Sequence, residues 1–317
     1  MKRKLILFCA AAALVALGCS KELPKSDAAA DRVEVGVTIG GSVATKATGS
    51  FAYHESTLKD VQVFCFDKAT GVREDYKRGE SNTVKLSITT GTKRIYALAN
   101  CPDLGAVTTE ASLLSTVTSF SNNSLDGFEM ISPTGSATEQ VITGSGNIEL
   151  SVKRIVAKVL VDKLVAAFEQ PSLRPLDFVI TKIYMVNVAK NNNYGLSVVP
   201  NEYYQGGDNN GSRINGMIAE EGLSYNLKNG GSSDVQHGFY VYPNSSSNRT
   251  KVVIEGTLKG DSQMYAFELP AIERNKVYDI QEIRITRPSS DNMFADLDVT
   301  IRVADWDETV TIPTFSY

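Results

Sequence analysis

Along most of the chain apolar and polar residues alternate, which is the period of a strand with one buried face. Val33, Val35, Val37 and Ile39 share one face of residues 33–39, with Glu34, Gly36 and Thr38 on the other. Behind this strand, GGSVATKATGS (40–50) places small, flexible residues around a single basic one, Lys46. LKDVQVFCF (58–66) predicts a strand closed by the turn DKATG. TVKLSIT (83–89) and KRIYALAN (93–100) alternate on either side of a Thr-Gly turn and predict a hairpin. One helix is expected over 108–117, with a threonine cap before Glu110 and Leu113, Leu114 and Val117 at helical spacing. NIELSVKRIVAKVLVDKL (147–164) reads as two strands or one bent strand.

EQPSLRPL (169–176) carries two prolines and is the expected domain boundary. DFVITKIYMVNVA (177–189) resumes the strands, and the Asn/Gly-rich stretch 191–231 is expected to form loops and an exposed insertion. Strands return at 238–243, 251–258, 263–270, 277–286 and 295–306. Strands at this density, with almost no helical periodicity, predict an all-β fold of two β-sandwiches. The expected division is 47–168 and 169–317.

The 317 residues suffice for two ordinary cores. A hydrophobic content of 42% with 21% charged residues is that of a folded protein, and a net charge of −4 offers no basic stripe for nucleic acid. Residues 1–18 have the form of a signal peptide: Lys2, Arg3 and Lys4, then an apolar run too short to span a bilayer comfortably. Losing them would move the charge to −7, since three positive charges go with them. The run ends at Ala16-Leu17-Gly18-Cys19, which resembles the lipobox of bacterial lipoproteins, with Ala where that motif usually has Leu. The resemblance implies a lipid on Cys19; the alternative is plain secretion with cleavage nearby. Cys65 and Cys101 would then remain as thiols. They could pair in an oxidising compartment, but they lack metal spacing, and Cys65 shares strand parity with Val61 and Val63, as a buried small residue would.

Little in the chain suggests catalysis. His54 and His237 stand in polar, turn-like settings and read as surface histidines. No HExxH, paired CxxC or GxSxG occurs, and the acidic loops lack EF-hand spacing. We therefore expect no catalytic residue, no metal and no cofactor.

Several stretches together resemble the fimbrillin family, the major subunits of bacterial type V pili. They are VQVFCFDKATGVRED, VKLSITTGTKRIYALANCP, FEMISPTG, VKRIVAKVLV, FYVYPN, IERNKVYDIQEIRITRP and VTIRVADW, in this order along the chain. The resemblance implies two transthyretin-like β-sandwich domains in tandem and export as an outer-membrane lipoprotein precursor. It also implies cleavage by a trypsin-like protease that releases an N-terminal strand, and assembly with other pilin subunits at the cell surface by donor-strand exchange, in support of adhesion.

On that scheme residues 19–46 form a propeptide. Cutting after Lys25 or Arg32 would leave Val33–Ile39 attached, so Lys46-Ala47 is the expected scissile bond. An edge strand followed by a linker is the plainer alternative. After Trp306, Val310 and Ile312 could begin a donor strand, although Pro313 lacks the N–H of a central strand. A second reading is a non-polymerising tip adhesin or surface lipoprotein that binds a glycan or host protein through the Tyr- and Asn-rich region 191–231.

Overall fold

The computed structural model describes residues 31–41, 55–206, 216–289 and 297–306. The account below concerns the unit that starts at Arg32.

β1 (Arg32–Gly41), β2 (Val61–Asp67), β3 (Arg73–Gly79), β4 (Thr83–Thr89) and β5 (Gly91–Ala99) come first. Helix α1 (Glu110–Ser115), β6 (Val117–Ser119), β7 (Met130–Ile131), β8 (Glu139–Ile142) and β9 (Gly146–Arg154) follow. The expected helix is shorter than its apolar spacing suggested, but its cap is where the sequence put it. The Thr109 side chain accepts from the Ser112 N–H at 3.1 Å.

All of these strands except β6 belong to one sheet, in the order β3-β2-β5-β7-β9-β1-β4, with β8 on a separate stretch of β5. Its two ends face each other across one core. Val35, Val37, Ile39, Leu86 and Ile88 meet Val61, Val63, Cys65, Ile95 and Ala97 there. The expected 83–100 hairpin does not form. β4 pairs with β1, while β5 pairs with β2, β7 and β8. The Thr-Gly turn, with Gly91 at φ +117°, carries the chain across the core to the opposite wall. Both strands still turn their apolar face to the same core, so the alternation of residues is the same as in a hairpin.

β10 (Ala157–Val161), β11 (Leu164–Ala166), β12 (Phe178–Ala189), β13 (Asn191–Asn193), β14 (Tyr203–Gln205) and β15 (Ala219–Asn226) continue the chain. β16 (Ser232–Ser233), β17 (His237–Val241), β18 (Lys251–Leu258), β19 (Asp261–Glu268), β20 (Lys276–Ile285) and β21 (Leu297–Asp305) complete it. One sheet has the order β16-β11-β20-β10-β17, with β21 on the other side of β20; a second has β14-β12-β18-β19, with β15 also beside β12. The run 147–164 is thus two strands, and the chain changes sheets between Arg154 and Ala157. β10 and β11 pair with β20, ahead of the proline-bearing segment 169–176.

The region 191–231 is more structured than its polar composition suggests. β14 and β15 pair with β12, β13 pairs with β6, and Tyr194, Met217 and Ile218 are buried. A second, larger core joins Phe239, Tyr265, Ile280 and Ile283 to Phe64, Phe66, Tyr96 and Leu98. β2 and β5 are therefore buried on both faces, one toward each core.

Candidate functional site

β1 is an interior strand of its sheet, between β9 and the edge strand β4. On one side it runs antiparallel to β4, with Val33 opposite Ile88, Val35 opposite Leu86 and Val37 opposite Val84. On the other it runs parallel to β9, with Val37 beside Ile148 and Ile39 beside Leu150. Val35, Val37 and Ile39 are buried, and Val33 packs at the rim of the same core. Burying each of those three fully is worth roughly 1.5–3 kcal/mol. A strand hydrogen-bonded on both sides over an apolar slot excludes the edge-strand alternative.

The ends of the slot are fixed by polar contacts that the alternation does not reveal. Arg32 donates to the Ser87 carbonyl from Nη2 at 2.7 Å and Nε at 3.1 Å, and to the Glu74 carbonyl at 2.8 Å. Lys85 Nζ meets Glu34 Oε1 at 2.8 Å on the solvent face. The backbone N–H of Ile39 donates to the Asn82 carbonyl at 2.7 Å. Over Gly36 lies the Asn147 amide; a Cβ at that position would come within 2.2 Å of Asn147 Oδ1. Asn147 is exposed and free to swing aside, so this contact covers the strand without locking it.

Arg32 sits inside the ladder with its guanidinium engaged, a poor presentation for a protease, which needs an exposed and extended segment. Cys19, Lys46, Ala47, Val310 and Ile312 lie outside the described residues, as does His54. The segment 42–54 bearing Lys46 joins the end of β1 to Glu55.

His237 is not a surface histidine. It is 1% exposed, with Nδ1 2.8 Å from Glu220 Oε2 and its ring 5.6 Å from that of Tyr225. Its polar sequence neighbours suggested a turn, but it opens β17 and pairs with Val161 of β10. Cys65 and Cys101 are both free and buried. Burial, reinforced by Glu74, pushes the Cys65 thiol up to about 12, and burial pushes Cys101 well above its ordinary value. Among the described residues no group of His, Cys, Asp and Glu could hold a metal ion, and no helix is long and apolar enough to cross a membrane.

No family profile and no curated protein matches this sequence. Solved structures do match. A candidate cell adhesion protein from Parabacteroides distasonis ATCC 8503 superposes with TM-score 0.61 at 15% identity, covering 87% of this chain and 97% of its own. Another, from Bacteroides eggerthii DSM 20697, gives TM-score 0.61 at 17% identity over 89% and 98%. A fimbrilin (FimA) from Porphyromonas gingivalis W83 gives TM-score 0.59 at 16% identity over 86% and 97%. At such identities the likeness is one of fold, and it extends over nearly the whole of each partner.

Proposed function

We propose that this chain is a pilin of the fimbrillin type, a structural subunit of surface fimbriae and not an enzyme. It is exported as a lipoprotein precursor acylated on Cys19, anchored in the outer membrane, and cut after Lys46 by a trypsin-like protease. Cleavage frees β1, and a strand from another subunit takes its place. The mature body then begins at Ala47 and comprises two sandwich units.

One observation carries this reading: β1 is an interior strand, paired on both sides over a slot lined by apolar side chains, and the chain beyond it carries a basic residue among small ones. While β1 is tethered, its effective concentration at the slot is high. A cut at Lys46-Ala47 removes that advantage without touching one ladder hydrogen bond. A better-fitting strand can then displace it, with backbone pairing supplying affinity and alternate side chains supplying fit. The fold shared with a fimbrilin and with candidate cell adhesion proteins points the same way.

Val310 and Ile312 begin the proposed donor. They offer two apolar residues at strand spacing, against the four of Val33, Val35, Val37 and Ile39. The test is trypsin-like digestion followed by electron microscopy. The unaltered chain forms filaments, Lys46→Ala stays monomeric, and a chain ending at Trp306 is cut but does not polymerise. Filaments from digested Lys46→Ala would refute the scheme, and filaments from the shortened chain would move the donor elsewhere.

A further inference from the structure

Four side chains from distant parts of the sequence close around Glu55, which is 2% exposed. Its Oε1 accepts from Lys158 Nζ at 2.6 Å and from the Tyr240 hydroxyl at 2.7 Å, and its Oε2 accepts from Trp306 Nε1 at 3.1 Å. Its backbone carbonyl accepts from Arg154 Nε at 2.5 Å. The Arg154 guanidinium lies 4.5 Å over the Trp306 ring, which stacks on Tyr240 with centroids 5.9 Å apart and planes inclined by 19°. Asn275 binds both ends of this group: its Oδ1 accepts from Arg154 Nη1 at 3.2 Å, and its carbonyl accepts from the Trp306 N–H at 3.0 Å.

The position of the cluster matters as much as its contents. Glu55 stands six residues before β2 begins at Val61. Arg154 ends β9, one wall of the slot. Lys158 lies in β10, and Trp306 directly follows β21. One buried residue, through its carboxylate and its backbone carbonyl, therefore ties together the approach to β2, a slot wall and the end of β21. None of these ties passes through β1.

We infer that this cluster is a mooring that lets β1 leave while β2 and β21 stay in place; this rests on the removable-strand reading. Emptying the slot exposes apolar side chains and strips the inner edges of β4 and β9 of partners. The loose end created by the cut would fray inward toward β2 unless something stops it. Opening at Glu55 would leave Lys158 buried without its counter-charge, which is among the most costly local events available to a folded chain. Fraying therefore stops at Glu55, and the slot stays open instead of collapsing. Glu55, Lys158 and Trp306 act as positioning residues for strand exchange.

Hydrogen exchange on the cut chain, stripped of the released strand, tests this. In the unaltered chain exchange should rise by about tenfold or more in 83–89 and 146–152 and stay unchanged in 55–67 and 297–306. In Trp306→Phe, which keeps the stacked ring and loses the N–H donor, the uncut chain should exchange normally. After the cut, 297–306 should join the fast set. Glu55→Gln, which leaves Lys158 without its counter-charge, should bring 55–67 into the fast set as well, and Trp306→Phe carries the test at 297–306 if that variant does not fold. Protection at 55–67 and 297–306 in both variants after the cut overturns the mooring, as does its loss in the unaltered chain. A strand that cannot be released from the unaltered cut chain overturns the removable-strand reading, and the mooring with it.

Discussion

Ile39 stands beside Leu150 in a parallel ladder, while two residues earlier Val37 faces Val84 in an antiparallel one. The slot walls therefore run in opposite senses, so any occupant forms a parallel ladder with one wall and an antiparallel ladder with the other. Parallel neighbours in sequence order need a long crossover. Here almost the whole first half of the body lies between β1 and β9.

Ile39→Ala should destabilise the intact chain by about 2–5 kcal/mol, the range for truncating a fully buried aliphatic side chain. In a chain cut at Lys46 and stripped of the strand, the same substitution should change nothing, because the residue has gone. Urea unfolding of the four samples checks both halves of the statement.

The strand itself was legible in the sequence; its neighbours were not. Val33, Val35, Val37 and Ile39 announce one buried face, but the partners β4 and β9 are set by long-range pairing that no local pattern encodes. The same limit explains the 83–100 segment. Val84, Leu86 and Ile88 face the core that receives Ile95, Ala97 and Ala99, so an arch between two walls and a hairpin within one present the same alternation. Polar composition misled in two places. His237 pairs with β10, and the described part of 191–231 contributes strands to β12 and β6 and buries Tyr194, Met217 and Ile218. The Glu55 cluster left only a faint sign, charged Arg154 and Lys158 inside the apolar run VKRIVAKVLV.

The two thiols of the folded body should be unreactive. With the Cys65 thiol pushed up to about 12 and Cys101 pushed well above its ordinary value, neither forms appreciable thiolate near neutral pH. A thiol reagent added to the chain lacking residues 1–19 should titrate both cysteines in denaturant and neither in buffer. Rapid modification of either in buffer would contradict the buried placement.

Stability should fall as pH rises through the titration of Glu129. This carboxyl is buried, and burial raises its pKa above the ordinary 4.5. The hydroxyls of Tyr242 at 2.9 Å and Tyr194 at 3.0 Å, the Thr118 hydroxyl, and Asn122 Nδ2 at 3.1 Å all donate to it, yet they only partly offset the desolvation. The folded state thus holds this proton more tightly than the unfolded state. Its contribution is complete below about pH 4.5 and is lost as pH climbs through the raised value. Urea midpoints measured across that window should decline, and Glu129→Gln should flatten the decline. An unchanged slope in the variant would assign it to another group.

β2 and β5 have no face in solvent. Cys65 and Val63 serve the core beneath β1, while Phe64 and Phe66, alternating with them, serve the larger core toward the C-terminus. A layer committed twice is redundantly held: when one side is stripped, the aromatic residues on the other side keep the backbone in register. On the proposed scheme, the body would therefore survive with a vacancy on one side and take a new occupant without having to refold around it.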